Sequence, residues 1–418
     1  MRNYMTAICF YFQVHQPYRL RPYSYFDTHY SHHYHDLQAN RAIMEKIANK
    51  CYLPTNQLLL GLIRHFKGDF KVSFSITGTA IEQFKAYAPA VLDSFKQLAD
   101  TGCVEFINET YYHSLSFLYS YEEFLYQVKQ HHQLIQNEFN FVPKTFRNTE
   151  LIYNNHLAKC IEDLGFNTIL AEGVEKSLGW RSSNFVYQPE HCQRLKLLLR
   201  NYQLSDDIAF RFSNRSWHHY PLTAEKYTFW VHQLAGNAEV LNLFMDYETF
   251  GEHQWQDTGI FDFLKSLPKN LLLHPDFYFS TPNEISNRIN PIAKLDIPHF
   301  ISWADEERDL TAWLGNDLQH DAIDAVYQLE SRVKASQNPE LIRTWRTLQT
   351  SDHFYYMCTK WFNDGDVHKY FNHFSSPYDA YTSFQNIIND FREVLQEEER
   401  KKVDDKVDLA CASGIPAI

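Results

Sequence analysis

The sequence has 418 residues, which is enough for one large barrel with an appendage or for two to three ordinary domains. Its formal net charge of −12 argues against nucleic acid or an anionic membrane surface as the main partner, so a neutral substrate fits better. Aromatic residues make up 16% of the chain, with 27 Tyr and 32 Phe, and this composition favours an extended aromatic-lined groove over a small polar pocket.

The cysteines and the N-terminal sequence indicate the compartment in which this protein works. Seven cysteines are scattered without CxxC spacing, and an odd count is a poor disulfide framework, so we expect a reducing compartment. The chain runs into an apolar segment at Ala7 without a signal-peptide pattern, and no apolar run is long enough to cross a bilayer. These features predict a cytoplasmic protein and leave its oligomeric state open.

Strand-like and helix-like segments alternate through the first two thirds of the chain. Short apolar runs predict strands at 7–13, 71–77, 103–107, 143–150, 168–170, 195–200 and 239–245. Helical patterns lie between several of them, at 39–67, 80–100, 121–139, 152–164 and 224–235. Strands that alternate with helices and end in polar residues are typical of a parallel β/α barrel.

The character of the chain changes after about Pro298. Strand-like runs vanish, and helical patterns cover 322–335, 338–359 and 375–399. We therefore expect a catalytic barrel over residues 1–300 and a C-terminal helical region over residues 301–396 that packs on the barrel and contributes to the site. A charged run with a mixed ending predicts a flexible tail over residues 397–418.

The stretch 241–253 concentrates polar chemistry directly after a predicted strand. The apolar run stops at Asp246, and carboxylates, aromatic rings, a glycine and His253 follow within eight residues. In parallel barrels catalytic groups sit at the carboxyl ends of strands, where the following loops open. Aromatic faces and carboxylates together suit a sugar, which offers apolar C–H faces and hydroxyl donors.

A second acidic strand end lies about a hundred residues earlier, at Glu150. A barrel collects site residues from several strands, so Glu150 and Asp246 are expected at the same end of the barrel. Hydrolysis of a glycosidic bond needs two such carboxyl groups. One protonates the leaving oxygen, and the other attacks the anomeric carbon or activates water.

Five motifs in the chain resemble, in order, the five sequence regions of glycoside hydrolase family 57. They are Phe12–Pro17, Gly102–Glu105, Phe146–Leu151, Met245–His253 and, for the fifth region, Trp303 with Ala312–Asp317. The chain is most similar to the short α-amylase group of this family. That resemblance implies an incomplete (β/α)7 barrel followed by helices, a retaining mechanism and α-glucans or maltooligosaccharides as substrates. Glu150 then matches the nucleophile and Asp246 the general acid/base.

The motifs also predict the side chains that contact the sugar. These candidates are Gln13, His15, Glu105, His113, Arg147, Tyr247, His253, Trp303 and Asp317. His15 and Glu105 match family positions that line the sugar site, and Gln13 points to the same side of its strand as His15. Trp303 is expected to stack on a glucose ring because it lies in a polar stretch. Arg147 either pairs with a carboxylate or keeps the neighbouring Glu150 ionised.

The retaining mechanism places a requirement on the two catalytic carboxyls. Retaining pairs lie about 5–5.5 Å apart, so an ionised Glu150 would raise the pKa of Asp246. We therefore expect Asp246 to carry a proton at rest.

Other interpretations of the sequence remain open. The cluster His29, His32, His33 and His35 raises the possibility of a metal-dependent polysaccharide deacetylase, although no matching Asp ends the first strand, and we expect neither metal nor cofactor. A 4-α-glucanotransferase would use the same two carboxyls, and a branching enzyme is a third option for which the chain is short. A non-catalytic glucan-binding protein is a further alternative.

Overall fold

The structure is a computed structural model that describes residues 5–360 and 372–412, with side chains described as far as residue 403. The chain divides into two compact units. The first comprises Met1–Gln16, Gln38–His113 and Glu122–Leu310, and the second comprises Pro17–Leu37, Ser114–Tyr121 and Thr311–Ile418. The predicted boundaries at residues 300 and 396 remain a prediction. In the described part of the chain, no helix is long and apolar enough to cross a membrane.

The first unit is built on short strands whose pairings are parallel with one exception. They are β1 (Thr6–Val14), β2 (Val72–Ile76), β3 (Val104–Phe106), β4 (Thr145–Arg147), β5 (Thr168–Glu172), β6 (Tyr187–Pro189), β7 (Lys196–Arg200), β8 (Val240–Asp246), β9 (Phe277–Phe279) and β10 (Ala293–Leu295). The exception is the antiparallel pairing of β6 with β7, and β10, which pairs parallel with β6, runs in the same direction as β6.

Seven parallel strands of the described chain follow one another around a barrel. One run of strands has the order β3-β2-β1-β8, and another places β5 between β4 and β7. A parallel bridge between Asn108 and Phe146 joins β3 to β4, and the Asn201 N–H donates to the Asn242 carbonyl at 2.9 Å between β7 and β8. The two runs meet through these sparse contacts, and the predicted incomplete (β/α)7 barrel is confirmed.

Strand β1 is the centre of the barrel wall. All nine of its residues are buried, as expected for a parallel strand that is covered on both faces. Its register places Gln13 opposite Ser75 on β2 and opposite Asp246 on β8. The strand therefore fixes which polar side chains share a level at the carboxyl end of the barrel.

Helices of the first unit connect these strands. They are Leu37–Ile47, the π-helix Ala48–Tyr52, Leu53–His65, Gly78–Tyr87, Pro89–Ala99, Tyr121–Phe139, Asn155–Asp163, Glu175–Leu178, Tyr202–Ala209, Ala224–His232, Ile260–Leu271 and Pro282–Arg288. The single helix predicted over 80–100 is divided, because Ala88 leaves the helical region and Pro89 starts a new helix. Strands β6, β9 and β10 were not predicted; each spans three residues, like β3 and β4, and in so short a segment the apolar pattern alone does not identify a strand.

The second unit is mainly helical, and its helices after Thr311 confirm the predicted C-terminal helical region. Its helices are Ser116–Tyr119, Thr311–Leu314, Asp317–Tyr327, Glu330–Ser336, Pro339–Thr347, Ser351–Tyr355 and Pro377–Ala412. The last helix continues past residue 396, where a flexible tail is predicted, because the charged run that follows consists largely of strong helix formers. Residues 413–418 of the predicted tail lie outside the described residues.

Part of the histidine cluster in the second unit is held by one buried carboxylate, Asp390, whereas the ring of His35 bonds the Thr347 hydroxyl at 3.0 Å. This carboxylate accepts hydrogen bonds from the His29 backbone N–H at 3.0 Å, from His32 Nδ1 at 2.8 Å and from the Tyr34 hydroxyl at 2.7 Å. Burial opposes the charged form, but these bonds lower the pKa of Asp390. The cluster therefore fastens residues 29–34 to the last helix.

Gly251 lies where the backbone after β8 passes close to the π-helix. Its φ is 113°, and a Cβ at this position would lie 2.0 Å from the Lys50 carbonyl oxygen. We expect Gly251→Ala to destabilise the protein by about 3 kcal/mol, because it adds backbone strain to a steric clash. Urea unfolding measures this loss.

Gly61 provides the matched control for this substitution. It lies inside the helix Leu53–His65, and a Cβ there would have no atom within 4 Å. Gly61→Ala should be neutral or stabilise the protein by up to about 1 kcal/mol. Equal effects of the two substitutions would contradict the close approach at Gly251.

Candidate active site

Glu150 follows β4 in a tight turn with unusual backbone geometry. Its φ is 56°, and the next residue, Leu151, has a φ of 52°. Two consecutive non-glycine residues in the left-handed region cost roughly 1–3 kcal/mol each, and such strain is concentrated at functional sites. The turn leaves the Glu150 side chain 20% exposed, although Leu151 is fully buried.

Both carboxylate oxygens of Glu150 receive hydrogen bonds. The indole N–H of Trp303 donates to Oε2 at 2.7 Å, and His113 Nε2 lies 3.3 Å from Oε1. The backbone N–H of Trp303 also donates to the Glu150 carbonyl at 3.2 Å. Donors aimed at both oxygens favour the ionised form of Glu150.

His113 lies between two carboxylates. Its Nδ1 is 3.1 Å from Glu109 Oε2, on the opposite side of the ring from Glu150. Burial opposes the charged ring, but the hydrogen bonds to Glu109 and Glu150 raise the pKa of His113 to about 9. At neutral pH His113 is therefore an imidazolium that donates to both carboxylates.

Asp246 is the last residue of β8 and differs electrostatically from Glu150. Loss of water around its carboxyl and the charge of Glu150 raise the pKa of Asp246 to about 6, against the opposing charges of Arg147 and His113. This direction and its partner are those expected from the sequence. The site thus contains one carboxyl whose hydrogen bonds favour the anion and one whose pKa is raised.

Arg147 contributes charge to this site without bonding Glu150. It is fully buried on β4, with Nη1 3.9 Å from Glu109 Oε2 and its guanidinium 5.0 Å from the ring centroid of Trp303. The guanidinium of Arg200, at the end of β7, lies 5.8 Å from the same centroid. The ring of Trp303 is therefore associated with two cations, and its stacking on a sugar remains a prediction.

Gln13 and His15 lie in the same region of the barrel. Gln13 is buried, and its amide oxygen accepts hydrogen bonds from the Tyr11 and Ser75 hydroxyls. Its amide N–H donates to Glu109 at 3.3 Å. The ring of His15 stacks on that of His113 with centroids 4.0 Å apart. A sugar contact by either side chain remains a prediction, but both support His113 and Glu109.

Two of the predicted contacts, Glu105 and Tyr247, have buried side chains, and contact of Glu105 with a sugar remains a prediction. Glu105 is at the level of Tyr11 and Ser73, one inward-facing layer deeper than Asp246, and its oxygens accept from Thr145 and from the Asn283 N–H.

Tyr247 is fully buried, and its hydroxyl donates to Asn56 at 2.6 Å. The sequence pattern places it beside Asp246, but a residue that follows the end of a strand can turn into the core. Contact of Tyr247 with a sugar remains a prediction.

His253 and Asp317 complete the predicted set. Burial lowers the pKa of His253 to about 4, so its ring is neutral at physiological pH. Asp317 is the first residue of the helix Asp317–Tyr327 in the second unit. Contact of either side chain with a sugar remains a prediction.

Glu109 and Glu248 are buried acidic residues that the sequence did not single out as site residues. Glu248 accepts hydrogen bonds from the Tyr52 hydroxyl and from the Gln16 amide, and burial together with the charge of Asp246 raises its pKa to about 8. Glu109 lies shortly after the end of β3, and Asp246 is the last residue of β8. The position of Glu109 near a strand end could therefore have marked it as a site residue.

Metal ligation can be examined among the described residues. Within residues 5–360 and 372–403, no three or more His, Cys, Asp or Glu side chains form a group that could hold a metal ion. The carboxylates of Glu150 and Glu109 instead accept hydrogen bonds from ring nitrogens of His113 and Trp303. A metal-free reaction remains a prediction.

The comparisons with known proteins agree with this geometry. Residues 9–298 match the family described as "Glycosyl hydrolase family 57". The chain is 45% identical over 411 residues to a protein of Methanocaldococcus jannaschii named "Putative alpha-amylase", covering 96% of this chain and 87% of that protein. The protein is therefore a glycoside hydrolase. It belongs to glycosyl hydrolase family 57, which confirms the resemblance seen in its motifs.

Solved structures share the fold at low sequence identity. A branching enzyme of the same family from Thermococcus kodakaraensis has a TM-score of 0.68 at 14% identity and covers 95% of this chain and 91% of its own. An α-amylase from Thermotoga maritima has a TM-score of 0.59 at 13% identity and covers 94% of each chain. A 4-α-glucanotransferase from Thermococcus litoralis has a TM-score of 0.63 at 15% identity; the match covers 84% of this chain, which spans 56% of that enzyme.

The high pKa of Glu248 predicts a pH-dependent effect on stability. Because the folded state binds this proton more tightly than the unfolded chain, the contribution of Glu248 is fully present below its ordinary pKa of 4.5 and is lost as the pH rises through about 8. Glu248→Gln does not titrate. Its stability relative to wild type should therefore rise by roughly 1.4 kcal/mol per pH unit within this window.

Urea unfolding of both proteins at pH 5 and pH 8.5 measures the difference. A stability difference that does not change with pH would show that Glu248 does not hold a proton in the folded state.

Proposed function

We propose that this protein is a retaining α-glucan hydrolase that cleaves internal α-1,4-glucosidic bonds of starch, glycogen or maltooligosaccharides. The observation that carries the proposal is the unequal pair of carboxyls at the ends of β4 and β8. Glu150 receives hydrogen bonds from His113 and Trp303, whereas Asp246 has a pKa raised to about 6. A retaining glycosidase needs one ionised and one protonated carboxyl in its resting state.

The first step of the proposed reaction uses the two carboxyls in complementary ways. The Glu150 carboxylate attacks the anomeric carbon and forms a covalent glycosyl ester, while Asp246 gives its proton to the oxygen of the breaking bond. The hydrogen bonds from Trp303 and His113 keep the attacking carboxylate ionised and oriented.

The second step reverses the roles. Asp246, now a carboxylate, takes a proton from water as the water oxygen bonds to the anomeric carbon and the Glu150 ester breaks. Both groups return to their starting protonation states. The anomeric configuration is retained because the carbon is inverted twice.

The α-glucan substrate is supported by the relative from Methanocaldococcus jannaschii, which shares 45% identity across nearly the whole chain and carries an amylase name. A 4-α-glucanotransferase is the alternative, since it uses the same pair with a sugar hydroxyl replacing water in the second step. A non-catalytic glucan-binding protein is a further alternative, but Glu150 and Asp246 are both present and electrostatically differentiated.

The products from maltoheptaose distinguish these candidates. We expect wild type to release only shorter sugars and Glu150→Gln to lose activity by at least about a thousandfold, because the amide is a poor nucleophile. Chromatography of the products over time measures both. A ladder of shorter and longer chains would indicate the transferase, and undiminished turnover by Glu150→Gln would refute the proposed nucleophile.

An activated substrate separates the roles of the two carboxyls. Fluoride leaves without needing a proton, so Asp246→Asn should form the glycosyl–enzyme from α-maltosyl fluoride far faster than from maltoheptaose. Glu150→Gln should be inactive on both substrates. Stopped-flow fluoride release measures the first step, and equal losses on both substrates for Asp246→Asn would contradict its role as the acid.

The pKa of Asp246 predicts the basic limb of the pH–rate profile. As the pH rises through about 6, the free enzyme loses the proton that the leaving oxygen requires, so kcat/KM should fall above that pH. Measurement with maltoheptaose between pH 4 and pH 9 tests this. A profile that stays flat up to pH 9 would contradict the assignment of Asp246 as the general acid.

A further inference from the structure

We infer that Glu109 is a positioning residue that acts through His113, because its carboxylate fixes the imidazolium whose other N–H points at Glu150. This inference rests on the proposed role of Glu150 as the nucleophile. Glu109 itself does not reach the reacting atoms in this arrangement. It determines whether His113 remains charged and oriented.

The carboxylate of Glu109 is fully buried and held from several sides. Oε2 accepts from His113 Nδ1 at 3.1 Å and lies 3.9 Å from Arg147 Nη1, while Oε1 accepts from the Gln13 amide at 3.3 Å. Its backbone N–H donates to His131 Nδ1 at 3.3 Å. The carboxylate therefore has one well-defined position. Burial opposes its charged form, but His113 and Arg147 lower the pKa of Glu109 to about 2.

The ring of His113 is equally constrained. The His113 backbone has a φ of 52°, and its backbone N–H donates to the Thr110 carbonyl at 3.2 Å. The ring stacks on His15. With Nδ1 directed at Glu109, Nε2 can only be directed at Glu150. Glu109 thus helps to keep the His113 ring charged and orients its Nε2 toward Glu150.

The charged and titratable groups around the hydrogen bonds that join Glu109, His113 and Glu150 come from several elements. They are His15 after β1, Glu109 after β3, Arg147 on β4, Glu150 after β4, His131 on the helix Tyr121–Phe139 and Asp246 on β8. Burial lowers the pKa of His131, so it adds no charge at neutral pH. The carboxylate of Glu109 is the fully buried anion in contact with His113, and without it burial would drive the proton from the ring.

Loss of the His113 charge would alter the proton balance between the two catalytic carboxyls. Two nearby carboxyls tend to share a proton, and the site works only if Asp246 holds it. A neutral His113 would make Glu150 harder to ionise. The acidic limb of the kcat/KM profile would then move to higher pH, because that limb reports the ionisation of the nucleophile.

The first experiment removes the charge of Glu109 and keeps its shape. In Glu109→Gln the amide oxygen can still accept from His113, so we expect the acidic limb to move up by about one pH unit. We also expect kcat at pH 5 to fall by up to about tenfold with KM within about threefold, because ground-state sugar contacts are unchanged. Rates on maltoheptaose between pH 3 and pH 9 measure these changes.

Glu162→Gln is the matched control. Glu162 is also a buried carboxylate, and it accepts backbone N–H groups of Gln193, Arg194 and Leu195 away from the catalytic pair. The substitution should lower stability and leave both pH limbs in place. An unchanged acidic limb in Glu109→Gln, with only a loss of stability as in this control, would overturn the inference.

A double-variant cycle tests whether Glu109 acts through His113. His113→Gln keeps an N–H donor but removes the charge, so we expect a limb shift in the same direction. Adding Glu109→Gln to it should produce no further shift, since the intermediary is already neutral. Additive shifts would show that Glu109 acts on Glu150 by another route.

Nitrogen NMR of His113 in the wild-type protein covers the case in which a variant fails to fold. We expect both ring nitrogens to remain protonated from pH 5 to pH 8, and a neutral ring at pH 7 would overturn the inference. Failure of the proposed function is recognised separately. It would appear as activity in Glu150→Gln, whereas failure of this inference would leave Glu150→Gln inactive.

Discussion

The hydrogen bonds that Glu150 accepts from His113 and Trp303 determine how charge is arranged at the end of the barrel. They stabilise Glu150 as an anion, and this anion in turn helps to keep His113 protonated. The same anion, together with burial, raises the pKa of Asp246. One set of contacts therefore makes two chemically similar carboxyls unequal, which is the property that acid-assisted nucleophilic attack requires.

The barrel supplies the rigidity on which this arrangement depends. Strand β1 is buried along its whole length, and its pairing with β8 fixes Asp246 opposite Gln13. Glu150 occupies a strained left-handed turn that only well-packed surroundings can maintain, and the fully buried Leu151 supplies part of that packing. The backbone N–H of Trp303 contributes further by bonding the Glu150 carbonyl.

The sequence was sufficient to predict the architecture and the main catalytic candidates. Long apolar runs that end in polar residues identified strands such as β1 and β8, since burial on both faces leaves a clear pattern. The pKa elevation of Asp246 also followed from placing two carboxyls at neighbouring strand ends. The resemblance of the motifs at Glu150 and Asp246 to those of glycoside hydrolase family 57 singled out these two residues, and their catalytic roles are part of the proposal.

The directions of the side chains at the site could not be predicted, because they depend on the three-dimensional structure and not on local sequence patterns. Nothing in the spacing of Glu109 and His113 shows that one imidazolium joins two carboxylates, because the joining depends on the direction of each side chain. Tyr247 is adjacent to Asp246 in the sequence, yet its ring turns into the aromatic core and bonds Asn56. Trp303 was predicted from its polar surroundings as a platform, whereas its indole N–H is directed at Glu150.

Covalent trapping of the glycosyl–enzyme is the most direct test of the proposed division between the two carboxyls. Incubation with a 5-fluoro-α-glucosyl fluoride should slow the second step and leave the sugar attached, and mass spectrometry of protease fragments should find it on Glu150. Attachment to Asp246 or Glu109 would contradict the assigned roles. Turnover with inversion at the anomeric carbon and no attached sugar would contradict double displacement itself.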